Sequence, residues 1–172
     1  VCIVDSIQAL GAFRNDVRKL GCDIMVANGF KWMLSLMGLA LVYINKDVLP
    51  SIEPQTLGLR GLKDFNETLN TFLSNLDIVN DYEYDPSSIT KFNLRMSSRV
   101  GMIVHTASLE YLMDIDMEKI ESRVMKVTDY LIEELESAGM EVVSSKDREH
   151  RSGIVCFRSG GDHNQLVEKL KE

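Results

Sequence analysis

The stretches VCIVDSIQALG at residues 1–11 and CDIMVANGFKWM at residues 22–33 decide the fold class of this 172-residue chain. In each stretch a short apolar, strand-forming run is followed by polar side chains, which are Asp5 and Gln8 in the first and Lys31 in the second. Continuous apolar strands are typical of a buried parallel sheet, and such sheets bind ligands at the carboxyl ends of their strands. The sequence therefore predicts an α/β fold, with a mostly parallel sheet that has these three residues near one edge.

These three residue types match the polar groups of pyridoxal 5'-phosphate (PLP). A lysine forms an imine with the cofactor aldehyde when its surroundings favour the neutral amine, and Lys31 is the candidate amine. An ionised carboxylate such as Asp5 favours the protonated pyridine nitrogen, which withdraws electrons from the substrate. The amide of Gln8 supplies a hydrogen-bond donor for the phenolic oxygen. We therefore predict that Lys31 is catalytic and that Asp5, Gln8 and Lys31 bind PLP.

Four segments resemble the class V aminotransferase family of PLP-dependent enzymes, which has fold type I. They are DSIQALGAFRNDV, CDIMVA, NGFKWM and GLALVYI, at residues 5–17, 22–27, 28–33 and 38–44. The family pattern is D-x-x-Q, then S/G-x-H/Y-K-W, then G-x-G/A before a strand. RSGIVCF at residues 151–157 resembles a strand of the family's small domain. The resemblance implies PLP as cofactor, an amino-acid-type substrate and a homodimer in the full-length protein.

The chain departs from the family pattern at the positions nearest the cofactor phosphate. Asn28 replaces the usual serine three residues before Lys31, and its amide can still donate to a phosphate, so we include Asn28 among the cofactor-binding residues. Phe30 replaces the usual His or Tyr and has no hydrogen-bonding group. Arg95 and Met96 align with the Gly-Thr pair that reaches the phosphate of the neighbouring subunit. The match to the family is therefore weakest at the residues expected to bind the cofactor phosphate.

By this resemblance, we expect the chain to correspond to a middle piece of a family subunit. It begins at Val1, inside an apparent strand, and stops at Glu172, inside an apparent helix. The resemblance implies that residues 1–114 form the end of the PLP-binding large domain with a bridging helix, and that residues 115–172 form part of the α+β small domain. Because the segments that complete the family's cofactor and substrate pockets lie outside it, we expect the piece alone to be inactive.

The pattern of apolar residues predicts the secondary structure. Strands are predicted at residues 1–4, 23–27, 39–44, 141–144 and 154–157. Helices are predicted at 17–20 and 98–113, and from 120 to a stop at Gly139, with a last one beginning at the N-cap Asp162. Short helices between strands favour the mostly parallel sheet.

Composition is ordinary for a packed globular domain, with 45% hydrophobic and 26% charged residues. The net charge of −7 and the absence of a basic run make nucleic acid an unexpected partner. No apolar run has the length of a membrane span, and no signal peptide opens the chain. We therefore expect a cytoplasmic protein with a small-molecule substrate.

The cysteine and histidine residues predict neither a disulfide framework nor a metal site. Cys2, Cys22 and Cys156 are an odd number that lies in or next to predicted strands, which is typical of reduced thiols in a core. The three histidines are His105, His150 and His163, and no two have the spacing of metal ligands.

Two classes of function remain open from these residues. The first is a PLP-dependent enzyme in which Lys31 moves a proton at the substrate α-carbon. The resemblance to the class V family, and not these residues, favours aminotransfer over cysteine desulfuration, other lyase chemistry or epimerisation. The second is a non-catalytic scaffold fragment, in which Asp5 is only a turn cap, Gln8 a surface amide and Lys31 a solvated charge. Phe30 favours the scaffold, whereas the alignment of Asp5, Gln8 and Lys31 favours the enzyme.

Overall fold

A computed structural model of the chain describes residues 1–63, 65–75, 83–94 and 98–171. The described strands are β1 (Ile3–Asp5), β2 (Ile24–Asn28), β3 (Ala40–Ile44), β4 (Glu141–Val142) and β5 (Phe157–Arg158). The described α-helices are α1 (Val17–Leu20), α2 (Phe65–Asn75), α3 (Arg99–Ile115), α4 (Met117–Ser137) and α5 (His163–Lys169), and 3₁₀ turns lie at Leu49–Ser51, Leu59–Gly61 and Ile89–Phe92. The predicted α/β class is confirmed.

The chain divides into two compact units. The first unit comprises Val1–Gln8 and Asn15–Glu110, and the second comprises Ala9–Arg14 and Tyr111–Glu172. None of the described helices is both long enough and apolar enough to cross a bilayer.

The first unit contains a three-stranded sheet in the order β1-β2-β3. β1 runs parallel to β2, with Ile3 opposite Ile24 and Asp5 opposite Val26. β3 runs antiparallel to β2, with Asn28 opposite Ala40. Only the first pair thus has the expected parallel direction. The reason is the connection from β2 to β3, which is a non-helical loop, whereas a parallel return needs a crossover that usually contains a helix.

Local sequence signals explain where several helices begin and end. The Asp16 carboxylate caps α1 by accepting from the backbone N–H groups of Arg18 and Lys19, and Gly21 ends that helix with a φ of 61°. Asp162 caps α5 by accepting from the Asn164 N–H at 2.9 Å, as predicted. Gly139 follows the end of α4 with a φ of 76°, also as predicted.

The core of the first unit contains one fully buried lysine. Lys91 is 0% exposed, and its Nζ donates to the carbonyl oxygens of Leu49 at 2.6 Å and Pro86 at 2.8 Å. The rings of Tyr84 and Phe92 lie 5.9 Å and 5.3 Å from the same nitrogen. These contacts replace the water that a buried ammonium group loses. Lys91 therefore ties the 3₁₀ turn at Ile89–Phe92 to the segment around Leu49.

In the second unit the predicted strands are shorter than expected. β4 and β5 each contain two residues and pair antiparallel, with Val142 opposite Phe157. Outside the regular ladder, the Cys156 carbonyl accepts from the N–H groups of both Val143 and Ser144. This shared acceptor interrupts the regular ladder, so the predicted strand at 141–144 was wrong over its last two residues and the one at 154–157 was wrong over its first three.

The segment RSGIVCF contributes an ion pair to this unit. The Arg151 side chain is 5% exposed and contacts the carboxylate of Asp129 on α4, which also pairs with Arg148 at 3.3 Å. Because burial of an unpaired guanidinium would be costly, Asp129 is the group that permits Arg151 to lie there.

The predicted burial of the cysteines was right for one residue and wrong for two. All three are free thiols; Cys22 is buried, whereas Cys2 and Cys156 are exposed. Cys2 precedes β1, an edge strand, and Cys156 precedes β5 in a two-stranded sheet. Both cysteines thus precede a strand that pairs on one side only among the described strands.

Candidate active site

Asp5 and Asn28 lie at the carboxyl ends of the two parallel strands. Asp5 ends β1 opposite Val26, and Asn28 ends β2 two residues further along. The Ser6 N–H donates to the Val26 carbonyl at 2.8 Å and so continues the pairing one residue beyond β1. The sheet therefore brings the backbones of Asp5 and Asn28 to one edge, the edge that the sequence predicted.

The Asp5 side chain also stabilises the turn that follows β1. Its Oδ1 accepts a hydrogen bond from the Ile7 N–H at 3.0 Å, which is an Asx turn. Asp5 therefore does cap a turn, and the hydrogen bond of that cap occupies one of its two carboxylate oxygens. Gln8, three residues after Asp5, has an exposed side chain that makes no hydrogen bond to any residue the structure describes.

Lys31 lies in a closed turn that follows β2. The N–H of Leu34 donates to the Lys31 carbonyl at 3.0 Å, and the N–H of Ser35 donates to the Gly29 carbonyl at 2.9 Å. We call residues 29–35 the lysine turn. Met33, 1% exposed, anchors it in the core. The Lys31 side chain is half-buried, and among residues 1–63, 65–75, 83–94 and 98–171 no group accepts a hydrogen bond or forms an ion pair with its Nζ.

Close packing explains the glycine that begins the lysine turn. A Cβ atom at Gly29 would lie 3.0 Å from Ser35 Cβ and 3.3 Å from both Cε1 and Nδ1 of His105. These distances are tighter than ordinary van der Waals contact, so a side chain at position 29 would push His105 or the turn aside. The imidazole of His105, on α3, therefore packs directly against the backbone before Lys31.

Buried polar atoms without partners lie in and beside the lysine turn. In the described part of the chain, no group hydrogen-bonds to Asn28 Oδ1, to Ser35 Oγ, or to either ring nitrogen of His105. Such atoms are uncommon in folded proteins, because an unsatisfied buried polar group costs about 1–3 kcal/mol. Within the described part of the first unit, buried polar side-chain atoms without a partner are found only around Lys31.

Sequence reasoning missed two residues that contact the lysine turn. His105 was considered only as a metal ligand, and Ser108 was not considered, yet Ser108 Oγ donates to the Leu34 carbonyl at 2.9 Å. The available signal was the spacing of Gly101, His105 and Ser108, which places small or polar residues together on one face of the predicted helix.

Three further observations complete the site. Arg95 and Met96, aligned with the phosphate-binding pair, lie outside the described residues. A cavity of about 540 Å³ lies at the opposite edge of the sheet, where Arg18, Cys22 and Lys46 contribute to its lining, and contains none of the predicted site residues. In the described part of the chain, no three His, Cys, Asp or Glu residues are grouped closely enough to hold a metal ion.

The fold is that of PLP-dependent enzymes of fold type I. An apo cysteine desulfurase from Thermococcus onnurineus NA1 superposes with a TM-score of 0.81 at 21% identity, over 98% of this chain and 39% of that one. A variant of C-DES, with glycine covalently linked to its PLP cofactor, superposes with a TM-score of 0.73 at 18% identity, over 95% of this chain and 40% of that one.

The chain belongs to the aminotransferase class-V family, whose family model matches residues 1–172. An uncharacterized aminotransferase of Schizosaccharomyces pombe is 27% identical over 152 residues, which is 87% of this chain and 36% of that protein. A probable cysteine desulfurase of Ureaplasma parvum is 28% identical over 162 residues, 91% of this chain and 37% of that protein. The family resemblance seen in the sequence is confirmed, and the chain spans well under half the length of these relatives.

Proposed function

We propose that this chain carries the lysine-bearing part of a PLP-dependent active site that acts on an amino-acid-type substrate, with aminotransfer as the reaction. The observation that supports the proposal most directly is the lysine turn, which holds Lys31 three residues beyond the strand end at Asn28, while Asp5 ends the neighbouring strand. Family membership over the whole chain supports the same class of enzyme. The activity is proposed for the intact protein that contains this chain.

Cysteine desulfuration is a second candidate reaction. Five relatives of this chain are named probable cysteine desulfurases, at 23–28% identity. The same lysine and carboxylate would serve either reaction, because both need the bond from the substrate α-carbon to its proton to be weakened by the cofactor. The two reactions differ in substrate and product, so they can be separated by assay.

The residues at the sheet edge fit PLP chemically. Asp5 keeps one carboxylate oxygen beyond the Ile7 hydrogen bond, and that oxygen would hold the protonated pyridine nitrogen. The exposed amide of Gln8 would donate to the phenolic oxygen. Asn28 Oδ1 is buried and no described residue hydrogen-bonds to it, and the NH₂ group of the same amide would donate to a phosphate.

Lys31 has two tasks in this proposal. Its Nζ would hold the cofactor aldehyde carbon, and after release it would take a proton from the substrate α-carbon and return one to the acceptor atom. Bound PLP supplies the electron sink for the α-carbon. The Ile7 N–H would restrain the Asp5 carboxylate at the sheet edge, and the buried Met33 would keep the lysine turn in place.

The proposal includes a cytoplasmic homodimer. The support for the compartment is that all three cysteines are free thiols, as is typical of proteins in a reducing environment. The support for the dimer is the family resemblance. Sedimentation of the intact protein checks the dimer, and a stable monomer with full activity would contradict it.

Reductive trapping tests the assignment of Lys31. The intact protein is incubated with PLP, reduced with borohydride and digested, and the modified lysine is located by mass spectrometry. We expect a pyridoxyl adduct on Lys31, its loss in Lys31→Arg, and its retention in the control Lys46→Arg, which alters an exposed lysine at the opposite edge of the sheet. No adduct, or one on another lysine, would favour the scaffold interpretation.

Substrate assays then separate the two reactions. Aminotransfer predicts that an amino acid and a 2-oxo acid exchange their amino group, whereas desulfuration predicts alanine and sulfide from cysteine under reducing conditions. An enzyme that traps PLP on Lys31 but releases sulfide from cysteine and transfers no amino group would replace aminotransfer with the second candidate.

A further inference from the structure

The part of α3 within the first unit contacts the lysine turn and the residues that follow it through one face. Gly101, His105 and Ser108 lie four and three residues apart, which is the spacing of one helix face. A Cβ at Gly101 would lie 3.1 Å from both terminal methyl groups of Leu39, and His105 packs against Gly29. Ser108 is the residue of this face that makes a hydrogen bond to the turn, through Oγ to the Leu34 carbonyl at 2.9 Å.

The Ser108 hydroxyl has a choice of two acceptors. Its Oγ lies 2.9 Å from the Leu34 carbonyl and also 2.9 Å from the Val104 carbonyl, one helical turn earlier. A hydroxyl donates only one proton, and the Val104 carbonyl already has the backbone N–H of Ser108 as its helical partner. The Leu34 carbonyl accepts no other hydrogen bond from the described residues. Donation of the hydroxyl proton to the Leu34 carbonyl therefore satisfies an acceptor that has no other partner among the described residues, whereas donation to the Val104 carbonyl does not.

Leu34 is the residue of the lysine turn that most needs support. Its φ of 54° lies in the left-handed region, which is unfavourable for a residue with a Cβ atom. The peptide unit that follows is held at both ends, because its carbonyl accepts from Ser108 and its N–H, on Ser35, donates to the Gly29 carbonyl at 2.9 Å. Loss of the Ser108 contact frees one end of this peptide and lets Leu34 relax.

We propose that Ser108 is a positioning residue whose hydroxyl holds the Leu34–Ser35 peptide, so that the lysine turn stays closed and presents Lys31 to the cofactor. This proposal rests on the proposed function for its role in the reaction, although the closure of the turn can be measured without cofactor. His105 and Gly101 shape the same face by packing, and neither makes a polar contact with the turn within the described residues.

Amide hydrogen exchange of the intact, cofactor-free protein measures closure of the turn. In Ser108→Ala we expect the amides of Leu34 and Ser35 to exchange about fivefold faster, the loss that corresponds to one ordinary hydrogen bond. The control Ser122→Ala removes the same hydroxyl from an exposed position on α4 and should leave these rates unchanged. Ser108→Thr, which keeps the hydroxyl, should restore slow exchange.

Reductive trapping and kinetics test the consequence for Lys31. Ser108→Ala should lower the yield of Lys31 adduct at limiting PLP and lower kcat more than KM, whereas Ser108→Thr should recover both. Wild-type exchange rates in Ser108→Ala would show that the hydroxyl only bonds back to Val104, and would overturn the proposal. Failure of the wild-type protein to form any Lys31 adduct would overturn the proposed function instead, because the exchange result does not depend on PLP.

Discussion

Leu34 has a backbone conformation that its side chain makes unfavourable. A left-handed residue other than glycine costs about 1–2 kcal/mol, and a single hydrogen bond contributes about 0.5–1.5 kcal/mol. The Ser108 contact is thus of the right size to offset much of this cost. The Leu34 side chain itself is exposed, so its contribution to the core is small.

Substitution of Leu34 by glycine should stabilise the lysine turn. We expect Leu34→Gly to raise the free energy of unfolding by up to about 1 kcal/mol relative to Leu34→Ala, measured by urea denaturation of the intact protein. The alanine variant is the matched control, since it removes the same exposed side chain but keeps the Cβ atom. Equal stability of the two variants would mean that position 34 is not strained.

Asp5 illustrates how one side chain can serve structure and chemistry together. Its hydrogen bond from the Ile7 N–H stabilises the turn after β1, and the same bond orients the carboxylate at the sheet edge. A turn cap and a cofactor ligand are therefore compatible interpretations of this residue, not alternatives.

At the scale of elements, Arg14 links the segment before α1 to the first turns of α4. Its backbone N–H and its Nε donate to the Glu121 carboxylate at 3.0 Å and 2.9 Å, and its Nη1 lies 3.6 Å from Glu118. The side-chain hydrogen bond from Arg14 lowers the pKa of Glu121, helped by the backbone hydrogen bond and opposed by partial burial. Negative side chains near the start of α4 also interact favourably with its helix dipole.

This ion pair predicts an acid-dependent loss of stability. The folded-state pKa of Glu121 is below the ordinary glutamate value of about 4.3. The stabilisation that the ionised Glu121 carboxylate gives the folded state is therefore complete above that value, and it is lost as the pH falls through the folded-state pKa. Glu121→Gln should therefore lower the free energy of unfolding by up to about 1 kcal/mol at pH 7 and flatten its decline below pH ~4.3.

Glu118→Gln is the matched control for this prediction. Glu118 is more exposed and contacts the same guanidinium at 3.6 Å, so its replacement should change stability less. Denaturant unfolding at a series of pH values checks both variants. If the free energy of unfolding of Glu121→Gln falls with pH as steeply as that of the wild type below pH ~4.3, the Arg14 contact does not depend on the carboxylate charge.

At the scale of the whole molecule, the first unit exposes an apolar surface on α3. Val100 is 68% exposed and Ile103 is 70% exposed, and Met102 lies between them in the chain. Ile103 and Met102 line a shallow depression together with Thr106. Contiguous exposed apolar residues of this kind promote association or bind other apolar surfaces.

The 172-residue chain, produced alone, should therefore bind a hydrophobic dye. The double variant Val100→Ser and Ile103→Ser should lower the dye fluorescence and reduce self-association in sedimentation. Thr106→Ser, a polar change on the same helix face, should leave both unchanged. Unaltered dye binding in the double variant would place the responsible surface elsewhere on the chain.

The sequence by itself determined the fold class, the family and the residues at the sheet edge. Asp5 and Asn28 could be placed because a run of apolar residues specifies a strand, and parallel strands end at a common edge. Gly139 and Asp162 could be identified as helix boundaries because capping depends on the residue type and its immediate neighbours. These are local properties, so the residues adjacent in sequence are enough to specify them.

The tertiary structure alone decided which distant residues support Lys31 and which side chains are buried. Ser108 and Leu34 are 74 residues apart, and the residues adjacent to either one do not predict the hydrogen bond between them. Lys91 is fully buried although lysine side chains are rarely buried, and Cys156 is exposed although the sequence predicted a core thiol. Burial and long-range hydrogen bonding depend on what the rest of the fold packs against a residue, because the free energy of removing a group from water is set by its surroundings.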